Sequence, residues 1–332
     1  GLNTVKRNKG QRARNKEKGA RNKEKGARNK EIYMKCSIII LNWNGAKMLR
    51  QFLPSVITHT TLPECEIIVA DNGSTDDSLS VLANEFASVR TIILDKNYGF
   101  AEGYNKAIEQ IDSEYVVLLN SDVEVPNGWL QPLLNYMDAH PTIGAVQPKI
   151  HSWHKRNYFE HAGAAGGYLN ILGYPYCRGR RLGKTEEDKG QYDTILDNIE
   201  WTSGACMCVR TSVYKELGGL DASFFAHMEE IDLCWRMRNK GWKLACVTDS
   251  TIYHVGGGSL HYDNPRKTYL NFRNNLLMIY KNTSFPWCVL SIRFFLDYAA
   301  AMMYLFTGRA QSAKAVYEAR RDYRQMRKQY QS

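Results

Sequence analysis

Short apolar runs, each ending in a cluster of polar residues, recur along the first half of the chain. Four of them cover residues 37–41, 66–70, 91–94 and 115–119, and helix-like segments separate them. Strands that alternate with helices form right-handed crossovers, so the pattern predicts an α/β fold with a mainly parallel sheet. The run at 115–119 carries no charge, which is typical of a strand buried on both faces.

The polar residues that follow these runs are candidates for ligand contacts. The carboxyl ends of parallel strands meet at one edge of the sheet, where open α/β sheets bind their ligands. A carboxylate such as Asp71 can accept a hydrogen bond from a nucleotide base or a ribose hydroxyl, and glycines allow a close approach of backbone and ligand. We therefore expect ligand contacts from Asn42, Asn44, Asp71, Ser74, Asp76, Asn97, Gly99, Gly103, Asn105, Asn120 and Ser121.

Asp122 lies just beyond the end of the fourth run, two residues after Asn120. A carboxylate there is suited to hold a hard cation between the protein and a diphosphate. The alternative is that Asn120 and Asp122 cap a helix that begins near Pro126. Residues 71–77 have a similar second interpretation, as a turn followed by a helix cap.

Three acids stand close together in a second informative segment, at 224–236. Glu229, Glu230 and Asp232 lie among apolar neighbours, where carboxylates are costly unless they face a site or a cation. The alternative is a solvated helix start, where the helix dipole favours acids. Further along, His254 follows an apolar strand and precedes three glycines. Taken alone, a single histidine in such a position has a structural role more often than a functional one.

Several motifs, in the same order, resemble those of family 2 glycosyltransferases, and most closely the bacterial rhamnosyltransferase-like group. They are SIIILNWN (37–44), DNGSTD (71–76), NYGFAEGYN (97–105), LLNSDVEV (118–125) and GGLD…FF…EEIDLCWR (218–236). The resemblance implies a GT-A fold, a nucleoside-diphosphate sugar donor, a divalent metal ion (Mg²⁺ or Mn²⁺) and inversion at the anomeric carbon. The donor it implies is dTDP-rhamnose or a UDP-sugar, and the acceptor is a lipid-linked glycan or a polysaccharide.

The resemblance also implies roles for individual residues. Glu230 stands where the family has its general base, with Asp232 as the second candidate and Glu229 as a group that orients or hydrogen-bonds. Asp122 matches the second acid of the metal-binding motif, and His254 stands where family members place a metal-binding histidine. This chain has an asparagine, residue 120, in place of the first acid of that motif.

The formal charge of +10 is concentrated at the amino terminus. Residues 1–33 hold twelve Lys or Arg and three Glu, a net charge of +9, and repeat the heptapeptide ARNKEKG. The repeat offers only alanine where a coiled coil needs larger apolar residues, so we expect a disordered tail. Because a nucleic-acid-binding domain carries its charge on a folded face, we expect no nucleic-acid partner. The tail would precede a GT-A domain at 34–284 and a helical region at 285–332.

The region at 285–332 has a different composition. Residues 285–307 are strongly apolar and nearly long enough to span a bilayer, but Arg293 and Asp297 lie within the segment, where they can pair on one helix face. Residues 308–332 hold seven Lys or Arg and two acids. The combination predicts peripheral contact with the anionic inner face of the plasma membrane, by a cytoplasmic protein. Helix pairing within the chain or in an oligomer, and a true span, are the alternatives.

Two compositional features bear on the compartment and on a further site. The eight cysteines form no CxxC pair, which fits a reducing cytoplasm. In the weakly periodic region 161–190, three arginines are candidates either for phosphate contacts or for a solvated charge cluster: Arg178, Arg180 and Arg181.

Other functions stay open at the level of the sequence. A nucleotidyltransferase on a similar sheet would also place acids at strand ends, but it would not need the acids at 229–232. A degenerate homologue that senses nucleotide sugars without transferring them is suggested by Asn120. Nucleic-acid binding through residues 1–33 is a non-enzymatic alternative.

Overall fold

A single eight-stranded sheet forms the centre of the computed structural model, which describes residues 34–161, 163–181, 183–194, 198–256 and 264–330. The tail predicted at 1–33 lies outside these residues. The strands are β1 (Met34–Asn42), β2 (Cys65–Asn72), β3 (Arg90–Leu94), β4 (Ser113–Asn120), β5 (Val123–Glu124), β6 (Ile143–Ser152), β7 (Gly167–Leu169), β8 (Pro175–Cys177), β9 (Arg180–Arg181), β10 (Lys184–Thr185), β11 (Cys206–Arg210) and β12 (Lys243–His254). The helices are α1 (Ala46–His59), α2 (Ser78–Glu85), α3 (Gly99–Ile108), α4 (Gln131–Ala139), α5 (Thr211–Glu216), α6 (Glu229–Asn239), α7 (Pro265–Asn282), α8 (Pro286–Phe306) and α9 (Ala310–Met326), with short 3₁₀ helices at Ala222–Phe224 and Arg327–Tyr330.

The predicted α/β fold is confirmed by the order of the strands, which is β3-β2-β1-β4-β11-β6-β12-β5. Strands β3, β2, β1 and β4 run parallel to one another, and β6 runs parallel to β12. Strand β11 is antiparallel to both β4 and β6 and joins the two parallel groups. In the register, Asn42 lies opposite Asp71 and Leu41 lies opposite Asn120. The polar clusters therefore meet at one edge of the sheet, as the sequence predicts.

Strand β4 is buried on both faces, as its uncharged sequence predicts. Val116 and Leu118 pack into one core cluster, beneath α3, α5 and α6. Tyr115, Val117 and Leu119 pack into the other, with α1, α2 and α4. Since successive side chains of a strand point to opposite faces, the alternation distributes one apolar run over two cores.

The helix expected near Pro126 begins later, at Gln131. Val123 and Glu124, which directly follow Asp122, form β5, and Val123 pairs with His254 of β12. This pairing holds Asp122 beside the end of β12, so the interpretation of Asn120 and Asp122 as caps of a helix at 126 is wrong.

The three C-terminal helices pack against one another, and the two charges within α8 face inward. Arg293 donates to Asp297 (3.2 Å), and Arg320 of α9 bonds the same carboxylate. Arg293 also bonds the side-chain oxygen of Asn275 in α7. All four side chains are buried. The pairing predicted for Arg293 and Asp297 is therefore present, and it leaves the outer face of α8 without charge.

The outward face of α8 is apolar along its whole length. Its exposed large side chains are Trp287, Ile292, Phe294, Phe295, Leu296, Met302, Met303, Leu305 and Phe306. By length and composition α8 could cross a membrane. It lies, however, against α9, whose exposed residues include Lys314, Arg321 and Arg324. Exposed basic side chains of α9 therefore lie on the helix that packs against the apolar α8.

Candidate active site

The ends of β1 and β2 are joined by hydrogen bonds between buried polar side chains. Asn42 donates its amide to Asp71 (2.9 Å) and to Ser74 (3.3 Å), and the Ser74 amide donates to the other Asp71 oxygen (2.9 Å). The side-chain oxygen of Asn42 is buried and has no hydrogen-bond partner among the described groups. Each carboxylate oxygen of Asp71 can accept a second bond. The ends of these strands thus retain unused acceptors for a ligand.

Asn44 and Asp76 fix the loops that follow these strands. Asn44 accepts from the backbone amide of Thr75 (2.7 Å), and Asp76 accepts from the amides of Ala46 (3.1 Å) and Ser78 (3.0 Å). Asp76 therefore satisfies the first turns of both α1 and α2. The helix-cap interpretation of residues 71–77 describes Asp76 correctly. Asn44 and Asp76 both stabilise the loops of the site, whether or not they contact a ligand.

The glycine-rich start of α3 packs against protein. Gly99 has a φ of 78°, and a Cβ there would lie 2.6 Å from the ring of Phe225. A Cβ on Gly103 would lie 3.0 Å from the side chains of Asn72 and Leu41. The glycines thus permit helix and loop packing, and their predicted contact with a ligand stays a prediction.

The two asparagines of the same segment are also bonded within the protein. Asn97 accepts from the amide of Gly99 (2.8 Å). Asn105 donates to the Leu220 carbonyl (2.7 Å) and accepts from the Tyr214 hydroxyl (2.7 Å). Asn105 therefore ties α3 to the turn at 217–220, and its predicted contact with a ligand also stays a prediction.

The ends of β4 and β12 bring the two predicted metal ligands together. Asp122 Oδ1 lies 3.2 Å from His254 Nε2, and the amide nitrogen of Asn120 lies 3.4 Å from the same ring nitrogen. Ser121, between them, is partly exposed. On the other side of the ring, Nδ1 lies 3.7 Å from Glu160, a residue that the sequence analysis did not select.

The electrostatics of this pair fit a divalent cation. Burial lowers the pKa of the His254 imidazole, but Asp122 and Glu160 outweigh burial and raise it to about 10. Burial raises the pKa of Asp122, but the hydrogen bond and the charge of His254 outweigh burial and lower this pKa below its ordinary value. A positive charge is thus favoured between the two carboxylates, and a bound cation would take the place of the imidazolium proton.

The protein supplies only part of a metal coordination shell here. Within the described ranges no group of three or more His, Cys, Asp or Glu side chains is arranged to hold a metal ion. A carboxylate and an imidazole leave most positions of an octahedral ion for ligand oxygens. The pair fits a cation that is shared with a bound diphosphate.

Helix α6 starts with the three predicted acids, and the structure separates their roles. Asp232 is fully buried, and it accepts from Arg236 (2.8 Å), Lys281 (3.0 Å) and Asn282 (2.8 Å). Since its oxygens hold α6 to α7, Asp232 has a structural role, which corrects its selection as the second candidate for the base.

Glu230 is the acid that retains both exposure and an unpaired oxygen. It is partly exposed, and its Oε2 has no hydrogen-bond partner among the described groups. A Cβ on Gly204 would lie 3.6 Å from its carboxyl carbon, so this glycine leaves the space in front of the carboxylate open. Burial of the carboxyl raises the pKa of Glu230 to about 7. Glu229 is more deeply buried, and burial followed by repulsion from Glu230 raises its pKa well above the usual range.

The loop before α6 has a strained backbone. Phe225, His227 and Met228 have φ values of 64°, 69° and 72°, a region that costs a non-glycine residue about 1–3 kcal/mol. Asn274 donates to the carbonyls of Ala226 (2.8 Å) and His227 (2.7 Å), and also to that of Phe224 (3.0 Å).

Asn274 thus acts as a clamp on this loop. Arg273, the preceding residue of α7, adds to the clamp. It donates to the carbonyls of Ser223 (3.0 Å) and Phe224 (2.9 Å) and to the side chain of Asn274 (2.9 Å). Arg273 therefore helps to position the loop. The sequence patterns above do not single out Asn274. The feature that could have indicated its role is the NFRNN motif, which places two adjacent amide side chains inside a helix that otherwise packs in the core.

Removal of the Asn274 amide should loosen the loop that presents Glu230. We expect Asn274→Ala to lower the free energy of unfolding by about 3 kcal/mol, since buried carbonyls lose their donor. We also expect it to lower kcat more than donor affinity, because the donor sites at Asp71 and Asp122 lie on other elements. Urea unfolding and steady-state rates measure the two effects. Asn135→Ala, on the exposed face of α4, should change neither, and a wild-type kcat in Asn274→Ala would contradict the assignment.

Several curated proteins resemble this chain over most of its length. An N-acetylglucosaminyl-diphospho-decaprenol L-rhamnosyltransferase of Mycobacterium tuberculosis is 26% identical over 232 residues, which cover 65% of this chain and 75% of the relative. The rhamnosyltransferase WbbL of Escherichia coli is 26% identical over 212 residues, or 60% and 74%. The O-antigen biosynthesis protein RfbC of Myxococcus xanthus is also 26% identical, over 69% of this chain, which spans 18% of that longer protein.

Solved structures show the same fold at low sequence identity. GalNAc-T7 with UDP, GalNAc and Mn²⁺ superposes with a TM-score of 0.56 and 17% identity over 76% of this chain and 48% of the other. A mannosyltransferase of Pyrobaculum calidifontis in complex with GDP-Man and Mn²⁺ gives a TM-score of 0.52 and 14% identity over 86% and 75%. These likenesses confirm the GT-A fold.

Residues 37–218, more than half of the chain, match the family described as Glycosyl transferase family 2. That range includes Asp122 and the loops that follow β1, β2 and β3, whereas Glu230 and His254 lie beyond it. The match favours the glycosyltransferase prediction over a nucleotidyltransferase on a similar sheet. The chain therefore belongs to glycosyl transferase family 2, with relatives named as rhamnosyltransferases, and is a glycosyltransferase of the GT-A fold.

Proposed function

We propose that this glycosyltransferase is metal-dependent and inverting, and that it transfers a sugar from dTDP-rhamnose or a UDP-sugar to a lipid-linked glycan. One observation carries the proposal: the backbone amide of Asn120 donates to the Ala205 carbonyl (3.0 Å). This bond joins the end of β4, with Asp122, to the segment whose Gly204 faces Glu230. This connection supports the proposal that Asp122, His254 and Glu230 line one site, as transfer requires.

Glu230 is the residue that would take the proton of the acceptor. A hydroxyl oxygen of the acceptor forms a bond to the anomeric carbon on the face opposite the diphosphate, while the bond from that carbon to the diphosphate oxygen breaks. The hydroxyl proton passes to Glu230, whose pKa near 7 matches this task at neutral pH. Glu229 is more deeply buried and its pKa is raised well above the usual range, which supports Glu230 as the acceptor of that proton.

Asp122 and His254 would hold the divalent ion beside the diphosphate. When bound, Mg²⁺ or Mn²⁺ supplies positive charge that stabilises the leaving diphosphate. The side-chain oxygen of Asn42 and the carboxylate of Asp71 would receive hydrogen bonds from the nucleoside. The relatives from Mycobacterium and Escherichia support rhamnose as the sugar through their names.

A panel of donors tests the proposal on the purified chain. We expect one of UDP-, dTDP- and GDP-sugars to raise the thermal unfolding midpoint when Mn²⁺ is present and not when EDTA replaces it. The nucleotide that does so names the donor class. A panel with no response to any nucleotide would contradict the proposed donor site and favour a degenerate homologue.

The outer face of α8 would place the enzyme on the membrane that holds a lipid-linked acceptor. The face is apolar, the two charges of α8 are turned inward, and basic residues of α9 lie beside it. Such an arrangement suits an anionic membrane surface, with the apolar side chains in the interfacial region. We infer peripheral binding at the cytoplasmic face.

Vesicle binding should depend on the outermost phenylalanines of α8. Phe295 and Phe306 are 72% and 83% exposed, and full burial of such a side chain contributes about 1.5–3 kcal/mol. We expect Phe295→Ser with Phe306→Ser to weaken co-sedimentation with anionic vesicles at least about tenfold, without a change in thermal stability. Ile93→Ser, at a position 65% exposed on edge strand β3, is the matched control. Equal binding by the double variant and the control would exclude α8 as the membrane face.

A further inference from the structure

A pocket lined by arginine and tyrosine side chains lies outside the site described above. It has a volume of about 410 Å³ and is formed by residues of β7, β8 and β9 and of the segment after β10, namely Tyr168, Tyr176, Cys177, Arg178, Arg180, Arg181, Glu186 and Tyr192. Three arginines against one glutamate give it a net charge of +2. Since a diphosphate carries about two negative charges, the pocket fits such a group in sign and magnitude.

The aromatic side chains give this pocket a defined shape. The rings of Tyr168 and Tyr176 stack with centroids 5.5 Å apart, and the Arg178 guanidinium lies 4.9 Å from the centroid of Tyr168. The hydroxyl of Tyr192 donates to Glu186 (2.6 Å), so the single acidic side chain of the pocket already has a hydrogen-bond partner. Arg180 and Arg181 are exposed at the rim. Planar guanidinium groups beside tyrosine rings are suited to bind a diphosphate that carries a sugar.

The β7–β8 hairpin, which forms one side of the pocket, is held against α7 and the inward face of α8. The tip of the β7–β8 hairpin is held there by Asn275, which donates to the Gly173 carbonyl (2.7 Å), and by Arg293, which donates to the Leu172 carbonyl (3.2 Å). At this tip Ile171 is 91% exposed. A lipid chain could therefore leave the pocket along Ile171 toward α8.

The pocket is also connected, through the protein chain, to the segment beside the candidate base. Gly167 and Trp201 form an antiparallel bridge, and the Trp201 indole donates to the Tyr168 carbonyl (2.9 Å). Gly204, three residues after Trp201, faces Glu230. The β9–β10 hairpin also borders a second cavity, of about 250 Å³, whose lining includes Glu160 and Gly256 beside His254. The pocket is thus linked through β7 and residues 201–204 to the segment beside Glu230.

We propose that this pocket binds the diphosphate of the lipid-linked acceptor, with Arg180 and Arg181 as its rim contacts and Ile171 against the lipid. The inference rests on the proposed function, and it assigns to the loop region a role in acceptor binding. The bound diphosphate would fix the acceptor sugar in front of Glu230 while the lipid stays along α8.

Equilibrium binding of three probes to the full chain tests the pocket: farnesyl diphosphate, inorganic pyrophosphate, and the nucleotide that binds with Mn²⁺. We expect Arg180→Gln with Arg181→Gln to weaken farnesyl diphosphate binding at least about tenfold and to leave nucleotide binding within about twofold. Lys240→Gln with Lys243→Gln removes the same charge at the exposed start of β12, away from His254, and should change neither.

The lipid contact has its own comparison. Farnesyl diphosphate should bind at least about tenfold more tightly than inorganic pyrophosphate, and Ile171→Ser should weaken only the former. Equal affinity for the two probes would exclude a lipid-linked ligand and leave a pocket for free phosphates.

Two further outcomes separate the pocket from the donor site. Equal loss of nucleotide and farnesyl diphosphate binding in the arginine variant would overturn the proposal, since the arginines would then belong to the donor site. Arginine-dependent binding of farnesyl diphosphate by a chain that binds no nucleotide sugar would support the pocket and contradict the proposed donor chemistry.

Discussion

Asp122→Ala should abolish the metal dependence of donor binding. Asp122 is the anionic member of the pair at the ends of β4 and β12, 3.2 Å from His254. Without it, a divalent ion keeps one neutral protein ligand and most of its affinity for the site is lost. We expect affinity for the donor in Mn²⁺ to fall about a hundredfold, or about 3 kcal/mol, to the value that wild-type protein shows in EDTA. Calorimetric titration with and without Mn²⁺ measures both quantities.

The matched control for this variant lies at the other end of the same strand. Asp112 is an exposed acid just before β4, and Asp112→Ala should leave donor affinity and metal dependence unchanged. If Asp122→Ala binds the donor as tightly as wild type and still responds to Mn²⁺, the metal site lies elsewhere.

Glu230→Gln should retain donor binding and lose turnover. Glutamine keeps the size of the side chain but cannot accept the proton of the acceptor hydroxyl. Removal of a general base typically lowers the rate about a hundred- to ten-thousandfold. We expect kcat to fall by this amount, with donor affinity within about twofold of wild type since the substitution leaves the cation pair intact. Steady-state rates and donor titration on the same preparation separate the two effects.

Glu229→Gln is the neighbouring control for this prediction. Burial raises the pKa of Glu229 well above the usual range, so we expect glutamine, which resembles a neutral carboxyl group, to retain most of the activity. Wild-type turnover in Glu230→Gln would assign the base to another group.

The pH profile gives a second view of the same carboxylate. Burial raises the pKa of Glu230 to about 7, and only the unprotonated carboxylate can act as base. In wild-type protein kcat should therefore rise as pH increases through about 7 and level off above it. This limb should be absent from the residual activity of Glu230→Gln.

The sequence predicts the strands and their polar ends well, because both depend on neighbours along the chain. An uncharged run such as 115–119 has few options other than a strand buried on both faces, and Asp122 follows directly from its end. The sequence cannot show that Gly99 packs on Phe225, or that Asn105 bonds Leu220, since these partners lie more than a hundred residues away. Glycines and amides that serve packing and those that serve ligands have the same local pattern.

The acids of α6 show the same limit most clearly. Their clustering in the sequence selects the segment at 229–232 but does not separate the three. Only the tertiary structure places Lys281 and Asn282 on Asp232 and leaves an oxygen of Glu230 without a partner. The clamp by Asn274 depends in the same way on a helix about fifty residues later in the chain.

The sequence by itself determined the α/β architecture, the edge of the sheet at which the polar clusters meet, and the resemblance that implies a common site for Asp122, Glu230 and His254. Tertiary structure alone decided which of the two unpaired acids of α6 is partly exposed, that Glu160 lies behind His254, and that the charges of α8 face inward. The physical reason is range. Strand and helix formation follow from patterns over a few residues, whereas burial and charge pairing depend on side chains that meet only after the chain has folded.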